Sequence, residues 1–220
     1  NVENFDPKIK HKNDICLFTS DVLCNAAAVY TQNKVKGAPI LVTKANLEKS
    51  GNKAIAVIAN SKNANTCNAD GVEKADKMCE LVANELNIPK EQVIVASTGV
   101  IGQVLPIEPI EKAVPVLVKE LDYGKNEEAS TAIMTTDTIK KEYAVEFEIG
   151  GVKCTLGGMA KGSGMIHPNM ATTLNFITSD CAVSSNMLQK ALSEIVKVTY
   201  NCLSVDGDTS TNDMVSLMAN

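Results

Sequence analysis

The stretch Gly157 to Phe176, GGMAKGSGMIHPNMATTLNF, constrains this chain more than any other. Glycines at 157, 158, 162 and 164 let the main chain approach a ligand or a second strand closely, which suits the wall of a site better than a core strand. Beyond Pro168 and Asn169 comes the step Ala171-Thr172-Thr173. Leu174, Phe176 and Thr178 then alternate with Asn175 and Ile177, the period of a strand. Thr172 is therefore expected where a glycine-rich loop enters a sheet.

The rest of the chain supplies mixed helices and strands. Ile15 to Ser20, Asn25 to Tyr30 and Pro39 to Thr43 read as paired strands, the last two separated by a loop in which Lys36 reads as a solvated lysine in preference to one that faces an anionic ligand. Ala54 to Ala59 reads as a buried strand ending in the asparagine-rich Asn60 to Asn68. Asparagine tolerates left-handed backbone, so that segment is a shaped turn and a candidate loop beside a site. Asp70 to Glu73 has capping-box spacing, and Val72, Ala75, Met78, Cys79, Val82 and Leu86 recur at helical intervals until Asn87-Ile88-Pro89 stops them. Val93 to Ala96 is a further buried strand, delivering Ser97-Thr98-Gly99 at its end. A helix over Glu108 to Leu121 is expected to kink or restart at Pro115, and a short one covers Asn126 to Met134. Tyr143 to Glu148 and Val152 to Leu156 form a hairpin around Gly150-Gly151. Ser184 or Ser185 caps a helix with the stripe Leu188, Leu192, Ile195, Val196 and Thr199. Asp206, Asp208 and Ser210 suggest a calcium loop but lack its glycine and closing glutamate, so the segment to Asp213 reads as a structural turn near the site.

Bulk properties narrow the partners. The net charge is -5 and the lysines are scattered, which argues against nucleic acid and for small metabolites. The longest apolar runs are too short to span a bilayer. Seven cysteines without a CxxC pair suit reduced thiols in the cytoplasm, and two histidines, His11 and His167, argue against a histidine-rich metal site. Lys161-Gly162-Ser163 reverses the order of a phosphate-binding loop. Asn1 is not an initiator Met and the chain stops within what reads as a strand, so a fragment is expected, with any targeting peptide unreadable.

A threonine hydroxyl is a poor nucleophile without a base. An N-terminal threonine carries one, because a free α-amine has a pKa of roughly 8. Making that amine here requires breaking the Ala171-Thr172 bond.

Five motifs in order carry a resemblance: Asn60-Ser61-Lys62-Asn63-Ala64-Asn65, Ala96-Ser97-Thr98-Gly99-Val100-Ile101-Gly102, Ile133-Met134-Thr135-Thr136-Asp137-Thr138, the central stretch, and Ser204 to Asp213. Together they resemble the ornithine acetyltransferase family, the glutamate N-acetyltransferases of arginine biosynthesis. The resemblance implies an α+β sandwich of the ornithine-acetyltransferase type. It implies self-cleavage between Ala171 and Thr172 into α (1–171) and β (172–220 onward) pieces that assemble as an α/β heterotetramer. It also implies acetyl transfer from N2-acetylornithine to glutamate through an acetyl-threonine intermediate, without a cofactor. Thr172 matches the nucleophile, Thr98 and Gly99 the oxyanion hole, and Thr135 and Lys161 substrate-binding positions. Some relatives accept acetyl-CoA as donor, and this sequence leaves the donor open. Further substrate-binding groups of the family come from beyond residue 220. Two rivals stand beside this reading: another N-terminal-nucleophile amidohydrolase or aminopeptidase, and a truncated non-catalytic relative.

Overall fold

The computed structural model describes residues 13–167 and 173–220. In chain order come β1 (Ile15–Tyr30), α1 (Ala38–Lys49), β2 (Lys53–Asn60), α2 (Gly71–Leu86), β3 (Val93–Ser97) and α3 (Glu108–Lys119). They are followed by α4 (Asn126–Ala132), β4 (Lys141–Ile149), β5 (Val152–Lys161), β6 (Leu174–Ser179), α5 (Ser185–Val198) and β7 (Met214–Ala219). The strands form one seven-stranded sheet in the order β3-β2-β1-β7-β6-β5-β4. The β2/β3 and β6/β7 pairs are parallel and the other neighbours antiparallel.

β1 bends this sheet. Its first half pairs with β2 and its second half with β7, and the register against β2 shifts between Thr19 and Cys24. A bulge of this kind increases local twist and bends the strand. In a flat sheet β3 and β5 would be five strand spacings apart, roughly 24 Å. Yet Lys161 Nζ, at the end of β5, lies 3.0 Å from Thr98 Oγ1, just past β3. The sheet therefore curls until its two wings face each other.

Its layers follow from that curl. On the inner face Val57, Ala59, Ile94 and Ala96 of one wing share a core with Leu174, Phe176, Met214 and Met218 of the other. Phe18 of β1 stands edge-on to Phe176, ring centroids 5.3 Å apart. Outside one wing, α1, α2 and α3 cover Ala56, Ile58, Val93 and Val95, and outside the other, α5 packs Leu188, Leu192 and Val196 on Ala27, Val215 and Ala219. This is the α+β sandwich implied by the resemblance, with Met78 and Cys79 fully buried as core residues.

Two expectations for the first segment are overturned. Pro39 to Thr43, read above as a strand, lies in the first turns of α1. Proline is tolerated there because the N–H it lacks would have no intrahelical partner. The helix hides its period because it is buried on two sides, with Ile40 and Leu47 in the inner core and Ala38 and Val42 in the outer. Its polar side chains close the sheet edge at β3. Thr43 Oγ1 accepts from Val95 N–H at 2.9 Å and donates to Val95 O at 2.8 Å, and Asn46 Nδ2 donates to Val93 O at 3.0 Å. The two expected strands of the first segment are likewise one continuous β1.

Other boundaries follow local chemistry. α2 ends at Asn87 in left-handed backbone, although the Asp70 side chain makes no capping bond. α3 runs unbroken through Pro115, because the Glu111 carbonyl that loses its helical donor is on the exposed side with it. Ser184 caps α5, its hydroxyl accepting from Met187 N–H at 3.4 Å.

Candidate active site

Thr98 and Gly99 leave the end of β3 held against the asparagine-rich loop. Thr98 N–H donates to Asn60 O and Val100 N–H to Lys62 O, both at 2.9 Å. Between these bonds Gly99 takes φ +131°, and a Cβ there would lie 2.1 Å from the Lys62 carbonyl carbon, so no other residue fits. The loop is itself fixed: Asn60 Nδ2 donates to Asn63 O at 2.9 Å, Ser97 Oγ to Asn60 Oδ1 at 2.6 Å, and Asn65 Nδ2 to Gly71 O at 2.8 Å. Lys62, Asn65 and Cys67 take the positive φ expected of a shaped asparagine turn. Because its N–H is already engaged, Thr98 can offer a ligand only its hydroxyl.

Lys161 approaches that hydroxyl from the opposite wing. It is buried, and its ammonium donates to Thr98 Oγ1. A hydroxyl that accepts from an ammonium keeps its own proton for a further acceptor, and a polarised one at that.

Asp137 brings the Thr135 turn to the same place. Its Oδ1 accepts from Gly162 N–H at 2.8 Å and from Lys141 Nζ at 2.6 Å, and its Oδ2 from Thr135 N–H at 3.3 Å. Burial alone would raise this carboxyl, but the Lys141 ammonium and the Gly162 and Thr135 N–H groups hold it below the usual carboxylate range. Thr135 is exposed there, one residue from Thr136, whose hydroxyl is hydrogen-bonded to Ser163 Oγ at 2.5 Å. Sequence reasoning picked out Thr135 and passed over Asp137, the side chain that ties the turn to Gly162 beside Lys161.

The mouths of β6 and β7 adjoin. Met214 N–H donates to Thr173 O at 3.0 Å, and Thr31 N–H to Asp213 O at 3.0 Å. Asn212 makes a full set of bonds here. Its Oδ1 accepts from Thr66 Oγ1 and Thr211 Oγ1, each at 2.6 Å, and its Nδ2 donates to Ala64 O at 2.6 Å and Ser97 O at 3.0 Å. The next residue is different. Asp213 is 1% exposed, and neither carboxylate oxygen completes a hydrogen bond among the described residues. Burial pushes it up to about 8, which the nearby Ser210 hydroxyl, Thr173 N–H and Lys161 ammonium offset only in part. The Thr173 hydroxyl is also buried without a partner among the described residues. Sequence reasoning took Asp213 as part of a turn; a carboxylate at the door of the apolar strand Met214–Ala219 was the signal available.

Asp206, from the same segment, accepts from the Met165 and Ile166 N–H groups at 2.7 and 2.9 Å, which hold its carboxyl low and fasten the glycine-rich loop. Ala171 and Thr172, with Pro168, Asn169 and His11, lie outside the described residues. His167 is described, and among the described residues no carboxylate is bonded to its ring and its buried Nδ1 has no partner. The thiols of Cys16, pushed by burial up to about 12, and of Cys79, raised further, are core groups rather than nucleophiles. Among the described residues no group of three His, Cys, Asp or Glu could hold a metal ion, and no helix is long and apolar enough to cross a membrane. A cleft of about 1050 Å³ opens elsewhere, between Phe18, Asp21, Tyr123, Tyr143 and Phe176, and none of Thr98, Gly99, Thr135 or Lys161 lines it.

Against known proteins, the ArgJ family model matches residues 1–220. Arginine biosynthesis bifunctional protein ArgJ 1 of Clostridium acetobutylicum is 50% identical over 218 residues, covering 97% of this chain and 52% of that protein. The crystal structure of arginine biosynthesis bifunctional protein argJ from Bacillus halodurans superposes with a TM-score of 0.65 at 40% identity, covering 72% of this chain and 83% of that one. Ornithine acetyltransferase of Mycobacterium tuberculosis, solved with ornithine, gives 0.61 at 31% identity, covering 73% and 84%. The chain spans about half the length of the curated relatives it matches.

Proposed function

This chain belongs to the ArgJ family, and from that premise we propose that the protein it represents transfers an acetyl group from N2-acetylornithine to glutamate in arginine biosynthesis. Thr172 is the nucleophile, freed by self-cleavage after Ala171. The observation that carries the reading is the Thr98 hydroxyl, supported by the buried Lys161 ammonium and standing beside Gly99, at the end of the sheet where β6 begins.

The α-amine of Thr172 takes its hydroxyl proton, and the oxygen attacks the acetyl carbonyl of the donor. The oxyanion is held by the Thr98 hydroxyl and the Gly99 N–H; such donors act on charge that develops only in the transition state. Ornithine leaves with the proton, and glutamate then takes the acetyl group from the threonine ester. Thr135 and Lys161 bind substrate, Lys161 by its charge toward a carboxylate. Acetyl-CoA as donor would enter through the same ester, and no step calls for a cofactor.

The pieces 1–171 and 172–220 share one sheet, through the β5/β6 and β1/β7 ladders, so a cut between them leaves the two pieces hydrogen-bonded. We take the working form to be an α/β heterotetramer of such pieces in the cytoplasm.

The test is intact-mass spectrometry on the full-length gene product beside Thr172→Ala. Two fragments meeting between Ala171 and Thr172 in the wild type, and one uncut chain in the variant, are expected. A wild-type chain that stays whole contradicts the proposal.

A further inference from the structure

Self-cleavage poses a problem that the mature enzyme does not have. Before the Ala171-Thr172 bond breaks, the nitrogen of Thr172 is an amide and cannot act as a base, yet a hydroxyl proton must still be moved. The fold holds a group suited to move it. Asp213 and Thr173 sit side by side at the mouths of β7 and β6, joined by the Met214 N–H bond to Thr173 O, and Thr173 is covalently next to Thr172. Among the described residues Asp213 is buried with neither carboxylate oxygen completing a hydrogen bond, beside the equally unpartnered Thr173 hydroxyl, and a buried carboxylate left in that state is costly and calls for an explanation.

We propose that Asp213 is the base of the self-cleavage step. This rests on the reading of Thr172 as a self-cleaving nucleophile. The Asp213 carboxylate takes the Thr172 hydroxyl proton, and the oxygen adds to the Ala171 carbonyl. The carbon–nitrogen bond breaks as the Asp213 carboxylic acid returns the proton to the departing nitrogen, which becomes the free amine of Thr172. Water then hydrolyses the ester, leaving the Ala171 carboxylate and the Thr172 hydroxyl. After that, the new amine takes over as base for acetyl transfer, so Asp213 matters chiefly to maturation.

The surroundings of Asp213 suit a group that must both take and return a proton near neutral pH. Lys161 of β5 is the charged group that faces it; Thr173 before β6, Thr31 after β1 and Ser210 before β7 bring none. Its ionisation, centred near 8, gives it enough basicity to accept and enough acidity to give back. His167, whose Nδ1 is also buried without a partner among the described residues, is the rival base that the experiment must separate from Asp213.

The experiment follows cleavage of the full-length gene product, synthesised without cells and sampled by intact mass from about pH 5 to 9, for wild type, Asp213→Asn, Asp213→Glu, Asp213→Ala and His167→Gln. Thermal unfolding of each uncut chain is recorded. Wild-type cleavage should speed up as pH rises toward about 8, while Asp213→Asn slows by roughly a hundredfold or more and loses that rise. Added formate should restore cleavage in Asp213→Ala, and His167→Gln should cut like wild type. Formate rescue is a response that a purely structural role would not give. Asp213→Asn cutting at the wild-type rate at every pH overturns the proposal. So does Asp213→Glu with an unshifted profile, should the other variants fail to fold. A wild-type chain that never cuts removes the Thr172 reading and this one together, whereas equal cutting in wild type and Asp213→Asn removes this one alone.

Discussion

Asn212 and Asp213 are consecutive, both buried, and bonded in opposite ways. Around Asn212 four hydrogen bonds tie together the asparagine loop, the end of β3 and the approach to β7. Around Asp213 the same end of the sheet leaves a carboxylate with no completed bond among the described residues. A saturated buried network specifies geometry, because each member is costly to leave alone. An unsaturated one keeps a reactive group available at the expense of stability. The contrast separates scaffold from chemistry within two residues.

The largest expected effect is on the scaffold side. Asn212→Ala leaves two hydroxyls and two carbonyls without that partner and should cost about 3 kcal/mol or more in chemical denaturation. A loss under about 1 kcal/mol would break the comparison, since water would then replace Asn212 freely.

Thr98→Val sharpens the chemical side. It removes a donor while keeping the shape, so acetyl transfer should slow about a hundredfold, about 2.7 kcal/mol of barrier, with little change in melting temperature. Equal losses of activity and stability would make Thr98 part of the scaffold instead.

Asp213→Asn changes stability by less than Thr98→Val changes the barrier, and its effect depends most on pH. The folded carboxyl is raised from 3.8 to about 8, so the folded chain binds a proton that the unfolded chain has already released. Wild-type stability therefore falls as pH rises from about 4 to about 8, and the asparagine variant is spared that fall. It should be more stable than wild type by about 1 to 2 kcal/mol at pH 8, with the gap closing toward pH 4. A gap that does not vary with pH would mean that the carboxyl is not buried as charge.

Much of this was legible beforehand where local pattern suffices. The α2 stripe and the β2 and β3 runs are periodic or compact in themselves, and Gly99 and the asparagines declare unusual backbone. α1 was misread because a helix buried on two sides has no polar face to reveal its period. The curl of the sheet was invisible because it depends on the register shift between Thr19 and Cys24 and on pairing with distant strands. For the same reason the meeting of Thr98 with Lys161, 63 residues apart, could be reached only through resemblance, and the unbonded state of Asp213 not at all.

The most direct test of the acyl-transfer reading is to load the matured full-length protein with N2-acetylornithine in the absence of glutamate and weigh the fragment that begins at Thr172. One added acetyl group on that fragment, removed when glutamate is supplied with matching formation of N-acetylglutamate, is the expected result. A fragment that never gains the group, or that loses it to water at the same rate with and without glutamate, would contradict an acetyltransferase and favour a hydrolase built on the same nucleophile.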